Sequence, residues 1–140
     1  PWVKDCALSG TYNSAVKGDG GIYFYRPGRK KLCNLRVQIA VYRIRDIYAL
    51  EPSPYYLYAR SSIYKTKFCL ANNVGIIDAG YRGNVCAALH NTSGIYTSVK
   101  MGTRMTQICM PDLSPNFHVR LVKKLSDTSR GGGGFGSTGE

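Results

Sequence analysis

This 140-residue chain has no apolar run long enough to cross a bilayer as a helix, and no signal-peptide pattern. No membrane partner is expected. No Cys-x-x-Cys pair occurs. The five cysteines (Cys6, Cys33, Cys69, Cys86 and Cys109) are odd in number and widely spaced, and His90 and His118 do not stand at zinc-ligand spacing from them. That argues against a zinc ribbon and against a fully paired disulfide framework. Reduced thiols in an intracellular protein, cytoplasmic or nuclear, are the expectation, most of them acting as small buried hydrophobes. Helical periodicity is missing over any long stretch, and there is no internal repeat. Acid is scarce: 8 Asp and Glu stand against 19 Lys and Arg, a net charge of +11. A field of that sign suits a polyanion, either nucleic acid or a nucleoside triphosphate, and charge alone does not choose between them.

What is present is alternation at period two. Leu35, Val37, Ile39 and Val41 fall on one face of an extended segment. Phe117, Val119 and Leu121 repeat the pattern, with His118 and Arg120 opposite. Short apolar runs separated by Gly, Pro, Asn and Ser predict an all-β sandwich or barrel in one domain. The most basic stretch, Arg26-Pro-Gly-Arg-Lys-Lys31, follows Tyr23, Phe24 and Tyr25. Pro27-Gly28 is turn chemistry, so a solvated turn is the plain reading and a nucleic-acid contact the alternative.

Two segments carry chemistry. Arg130-Gly-Gly-Gly-Gly-Phe-Gly-Ser-Thr-Gly139 is the one low-complexity segment. Such a glycine-rich stretch does not order by itself, because glycine loses the most backbone entropy on folding. It nevertheless has what a lid over a nucleotide needs: backbone N–H groups and hydroxyls for phosphate oxygens, Arg130 for a phosphate end, and Phe135 to stack on a base. The second segment is Gly75-Ile-Ile-Asp-Ala-Gly-Tyr-Arg-Gly83. An apolar strand (Val74, Ile76, Ile77) enters the turn Asp78-Ala79-Gly80, and apolar residues resume from Val85 to Leu89. This predicts a β-hairpin with Asp78 at its mouth, where Asp78 either caps the turn or does chemistry.

Together these segments resemble the third and fifth motifs of the trimeric dUTP pyrophosphatases (dUTPases). Ala59-Arg60-Ser61-Ser62 is similar to the second motif of that family, usually Pro-Arg-Ser-Gly. Gly102-Thr-Arg-Met-Thr-Gln-Ile108 is similar to the fourth, usually Gly-Asp-Arg-Ile-Ala-Gln. Order and spacing fit over residues 55–140. The resemblance implies a jelly-roll-like β-barrel over residues 1–128 and a flexible arm over 129–140. It implies hydrolysis of dUTP to dUMP and pyrophosphate with Mg²⁺, lowering dUTP and supplying dUMP for dTMP synthesis. It also implies a homotrimer in which the arm reaches a neighbouring subunit, with no need for nucleic acid.

The resemblance also assigns roles. Asp78 is the carboxylate that orients and deprotonates the attacking water. Tyr81 is the ring under deoxyribose that leaves no room for a 2′-hydroxyl, and closure near C5 excludes the methyl of thymine. Asn72 supplies a uracil contact, with Asn73 beside it a turn candidate. Gly75 and Ile77 belong to the substrate pocket, and Cys86 falls near the base or packs in the core. Arg60, Ser61, Ser62 and Gln107 hold phosphates. Arg130 pairs with the γ-phosphate, Phe135 stacks over uracil, and Gly136, Ser137 and Thr138 hold phosphates as the arm closes.

The first motif departs from the pattern. The family has Ala-Gly-x-Asp-Leu, whose Asp helps hold Mg²⁺, where this chain has Lys17-Gly-Asp-Gly-Gly-Ile-Tyr23. Gly21 takes the place of the Asp, and Asp19 stands two residues early. A bulge could bring Asp19 in, the triphosphate and water could hold the metal alone, or activity could be reduced. Thr103 also replaces a usual Asp, and Tyr42–Pro54 is longer than in compact members, which predicts an extra loop. The alternative function is a dUTPase-like binding module with weak catalysis and a protein or nucleic-acid partner. A dCTP deaminase of similar fold needs a Glu near the base, and no Glu occurs between Glu51 and Glu140.

Overall fold

The computed structural model describes residues 22–46, 49–100, 102–114 and 118–134. Asp19, Gly21, Phe117, Phe135, Gly136, Ser137 and Thr138 lie outside them. The described chain is all-β apart from one 3-10 turn at Ser61–Lys65. Its strands are β1 (Ile22–Tyr25), β2 (Lys30–Asn34), β3 (Val41–Asp46), β4 (Ala49–Ser53), β5 (Tyr55–Ala59), β6 (Phe68–Leu70), β7 (Gly75–Ile77), β8 (Cys86–Asn91), β9 (Thr97–Lys100) and β10 (Thr106–Cys109). They form four small antiparallel sheets: β1-β9, β10-β5-β7, β2-β8-β6 and β3-β4.

The strands follow from side-chain alternation. Along β8, Ala87, Leu89 and Asn91 are buried while Cys86, Ala88 and His90 are half-buried. Along β5, Tyr55 and Leu57 face inward. Together with Tyr25, Phe68, Leu70, Val85, Met105 and Ile108 they form one core. Burying each such side chain contributes roughly 1.5–3 kcal/mol. Asn91, with no exposed surface, ties loops to this core. Its Nδ2 lies 3.2, 3.0 and 2.9 Å from the carbonyls of Tyr25, Arg26 and Ile95, and its Oδ1 accepts from the Ser93 amide at 3.0 Å and hydroxyl at 2.7 Å.

Four sequence expectations change. First, residues 35–40 form no strand. The inward face is as expected, with Val37 buried and Leu35, Ile39 and Val41 against the core. Arg36, however, sits at φ 52°, left-handed backbone that breaks a ladder. Second, Gly75–Leu89 is not a paired hairpin: β7 pairs with β5 and β8 with β2 and β6, so the Asp78 turn crosses between two sheets. Third, Tyr42–Pro54 is no loop but the β3-β4 hairpin. Fourth, Val119 and Leu121 are 53 and 78 % exposed, and residues 118–122 join no sheet. Without a partner strand among the described residues, their alternation has no ladder to fit. Elsewhere the chain resolves an open choice: Asn73, at φ 59°, is the turn residue beside Asn72.

Candidate active site

Asp78 follows directly on β7, and β7 is held by β5 through the pairs Tyr55↔Ile77 and Leu57↔Gly75. Gly75 suits the close approach of the two strands: a Cβ would lie 3.1 Å from that of Leu57, with Asn72 Nδ2 at 3.8 Å. The turn closes through the Tyr81 amide, which donates to the Asp78 carbonyl at 3.0 Å. The Asp78 side chain is 56 % exposed, and its Oδ2 lies 2.9 Å from a guanidinium nitrogen of Arg130. The proposed base and the first residue of the glycine-rich segment, far apart in sequence, therefore meet within one chain, where the resemblance implied an arm reaching a neighbouring subunit. An exposed pair of this kind contributes only about 0–1 kcal/mol, so an incoming anion can displace it.

The segment before and after Arg130 is docked on the same turn by ordinary chemistry. Thr128 Oγ1 donates to the Gly80 carbonyl and accepts from the Gly131 amide at 3.2 Å. The Arg82 amide donates to the Gly131 carbonyl at 2.8 Å. The Arg82 guanidinium clasps the rest. Its Nε donates to the Ser126 carbonyl at 2.9 Å, and Nη1 to the carbonyls of Ala79 and Tyr81 at 3.0 and 2.9 Å. Its Nη2 faces the hydroxyls of Tyr42 and Ser126, each at 3.4 Å. Sequence reading passed over Arg82, Ser126 and Thr128. The signal was there in part, since Arg82 lies inside the Asp78 segment, but nothing in the sequence pairs it with Ser126.

Tyr81 stands beside this clasp. Its hydroxyl donates to the Asn84 carbonyl at 2.9 Å. A Cβ on Gly83 would lie 2.7 Å from the ring's Cζ, and one on Gly134 would lie 3.4 Å from Cε2, so two glycines flank the ring. Burial, and secondarily the Cys86 thiol, push the Tyr81 hydroxyl upward. Cys86 is half-buried, and burial followed by Cys33 raises its thiol. Neither group ionises readily, so they serve as shape and as neutral donors.

The other motifs gather at the opposite end of β5. Thr106 pairs with Ala59 and Gln107 with Tyr58. The Arg60 amide donates to the Met105 carbonyl at 2.9 Å, and Gln107 Nε2 to the Ala59 carbonyl at 3.2 Å. Arg60 is half-buried, while Ser61 and Ser62 are exposed. Asp78, one residue past the Tyr55↔Ile77 pair, is level with Pro54. Six extended residues at about 3.3 Å each then separate it from Arg60 by ~20 Å. Within one chain the proposed base and the proposed phosphate holders face different ends of the sheet.

Among the described residues no group of three or more His, Cys, Asp or Glu is placed to hold a metal ion. The described residues do not build a protein cage for Mg²⁺.

The family model for dUTPase matches residues 18–139. The chain belongs to the dUTPase family. A Picosynechococcus deoxyuridine 5'-triphosphate nucleotidohydrolase is 44 % identical over 75 residues, covering 54 % of this chain and 52 % of the relative. One from Paramecium bursaria Chlorella virus 1 is 46 % identical over 66 residues, covering 46 and 45 %. The chain spans about half the length of the curated relatives it matches. Among solved structures, a Staphylococcus bacteriophage 80alpha dUTPase with dUpNHpp covers 96 % of this chain and 94 % of that one, at TM-score 0.51 and 18 % identity. The Streptococcus mutans dUTPase covers 62 and 67 % at TM-score 0.51 and 22 % identity. These likenesses establish the jelly-roll fold of the dUTPase family. No helix among the described residues is long and apolar enough to cross a membrane.

Proposed function

We propose that this chain hydrolyses dUTP to dUMP and pyrophosphate, which lowers dUTP and supplies dUMP for dTMP synthesis. The observation that carries the reading is the meeting of Asp78 and Arg130 inside the two family segments. When a triphosphate enters, its terminal phosphate takes Arg130, and Asp78 is released to orient a water and accept its proton. The water oxygen bonds to the α-phosphorus, the bond from that phosphorus to the bridging oxygen breaks, and pyrophosphate leaves. Asn72, Gly75, Ile77 and Cys86 surround the base, and Tyr81 excludes a ribose. Residues 129–140 close over the site, with Phe135 on the uracil and Gly136, Ser137 and Thr138 on the phosphates.

The ~20 Å between Asp78 and Arg60 supports a homotrimer with shared sites, because a triphosphate is far shorter than that gap. Arg60, Ser61, Ser62 and Gln107 then come from a neighbouring copy. Mg²⁺ travels with the nucleotide phosphates, since this ion keeps most of its waters. A phage phi11 dUTPase structure, 16 % identical to this chain, is described as coordinating a structural Mg(II) ion. The test is pyrophosphate release from dUTP with and without Mg²⁺, with dCTP, dTTP and UTP as controls. Release from dUTP alone is expected. Equal turnover of UTP or dCTP would contradict the roles given to Tyr81 and the pocket.

A further inference from the structure

Charge is unevenly spread. No Asp or Glu occurs in residues 20–45, 52–77 or 79–111. Three loops from these acid-free stretches converge at one end of the β2-β8-β6 sheet. Buried Asn91 holds the β1-β2 turn through the Tyr25 and Arg26 carbonyls and the 92–96 loop through Ile95. Its own amide donates to the Arg29 carbonyl at 3.1 Å, and Thr92 donates its amide and hydroxyl to the Lys67 carbonyl at 3.0 and 3.1 Å. Arg26, Arg29, Lys30, Lys65 and Lys67 are all exposed there. None of the ion pairs described places an acid on them. Two rings stand among these cations: Tyr64 is 77 % exposed and Tyr96 64 %, and the Lys65 ammonium lies 5.7 Å from the Tyr64 ring centre.

We infer that this platform binds single-stranded nucleic acid, separately from dUTP hydrolysis. Five cations lie on two of these loops, one pinned by Asn91 and the other tied to Thr92 through the Lys67 carbonyl, which gives a charged surface of fixed shape. Steering a single triphosphate needs net charge but not exposed aromatic rings. Rings beside cations match the chemistry of single strands, whose unpaired bases stack on aromatic faces while the phosphates meet Lys and Arg. An acidic peptide would use the cations and leave the rings idle. Asn91 holds the Ile95 carbonyl next to Tyr96, so the loop that carries this exposed ring is anchored.

The test is fluorescence anisotropy of a labelled 20-nucleotide oligo-dT with the full chain, alongside a duplex of the same length and anionic phosphatidylserine vesicles. Neutralising about five phosphates of a single strand gives a log–log salt slope of roughly −3.5. Combined Arg29→Glu, Lys30→Glu and Lys67→Glu should weaken oligo-dT binding at least about tenfold with dUTP turnover unchanged. Combined Tyr64→Ala and Tyr96→Ala, which keeps every charge, should weaken it about fivefold or more per ring. The inference is overturned by no oligo-dT binding at 50 mM salt, equal binding of the charge-reversed chain, or tighter binding of duplex or vesicles. Complete competition by dUpNHpp would also overturn it, since the strand would then be using the nucleotide site. Each of these readouts stands whether or not dUTP is hydrolysed.

Discussion

The two ends of the β10-β5-β7 sheet are built on different plans. At the Asp78 end, side chains tie backbone to backbone: Arg82, Thr128 and Tyr81 fix the turn and the docked 126–134 segment. At the Arg60 end, the 3-10 turn Ser61–Lys65 has no buried residue and no side-chain cap, and both serines face solvent. Catalysis rewards a base held in place before substrate arrives, because orientation fixed in advance lowers the barrier. Phosphate holders gain less from being locked early, since the polyanion itself can order them. One end is therefore organised by the chain, and on the proposed reading the other is completed by the nucleotide and a neighbouring copy.

The largest effect expected from disturbing that contrast is at the base. Asp78→Asn keeps the size of the side chain and removes its basicity, so kcat for pyrophosphate release should fall about 10²–10⁴-fold with nucleotide binding retained. A fall of less than tenfold would transfer the role of base elsewhere. Next is Gly83→Ala, whose new Cβ would lie 2.7 Å from Cζ of Tyr81 and must move the ring. Overpacking of this kind costs about 1–3 kcal/mol. The preference for dUTP over UTP should narrow, as measured by the ratio of kcat/KM values. An unchanged preference would remove Tyr81 from sugar selection.

Arg82→Lys keeps the charge but loses the planar fork that reaches four residues at once. Losing charged hydrogen bonds at about 1.5–3 kcal/mol should raise KM roughly tenfold and speed protease cleavage after residue 126. Wild-type behaviour in Lys would mean that charge, and not the clasp, matters there. The smallest effect concerns the thiols. Burial raises Cys33, Cys86 and Cys109, so fewer thiolates are present at pH 8. Alkylation by iodoacetamide, followed by mass spectrometry, should be slower at these positions than after unfolding in urea.

Much of the inward face was legible from the chain, and less of its wiring. Period-two alternation placed Leu35, Val37 and Ile39 correctly even where no strand forms, because burial follows side-chain spacing more than hydrogen bonding. Strand partners were not legible. Residues 74–77 and 85–89 read as one hairpin, but a turn signal specifies only a local reversal. Which sheet the next strand joins depends on distant residues such as Leu57 and Leu70. The site divided the same way. Motifs identified Asp78 and Arg130 separately, and only the fold showed their contact. The Arg82 clasp joins residues 44 apart in sequence, and such a pairing has no local sequence signature.

The central claim is that the base and the phosphate holders of one site come from different copies. It is tested most directly by mixing two inactive chains, Asp78→Asn and Arg60→Ala, and assaying dUTP turnover after joint unfolding and refolding. Each copy carries what the other lacks, so randomly mixed oligomers should recover roughly a quarter of the wild-type rate. A mixture no more active than the average of its two parents would contradict the account and place both groups in a site built by one chain.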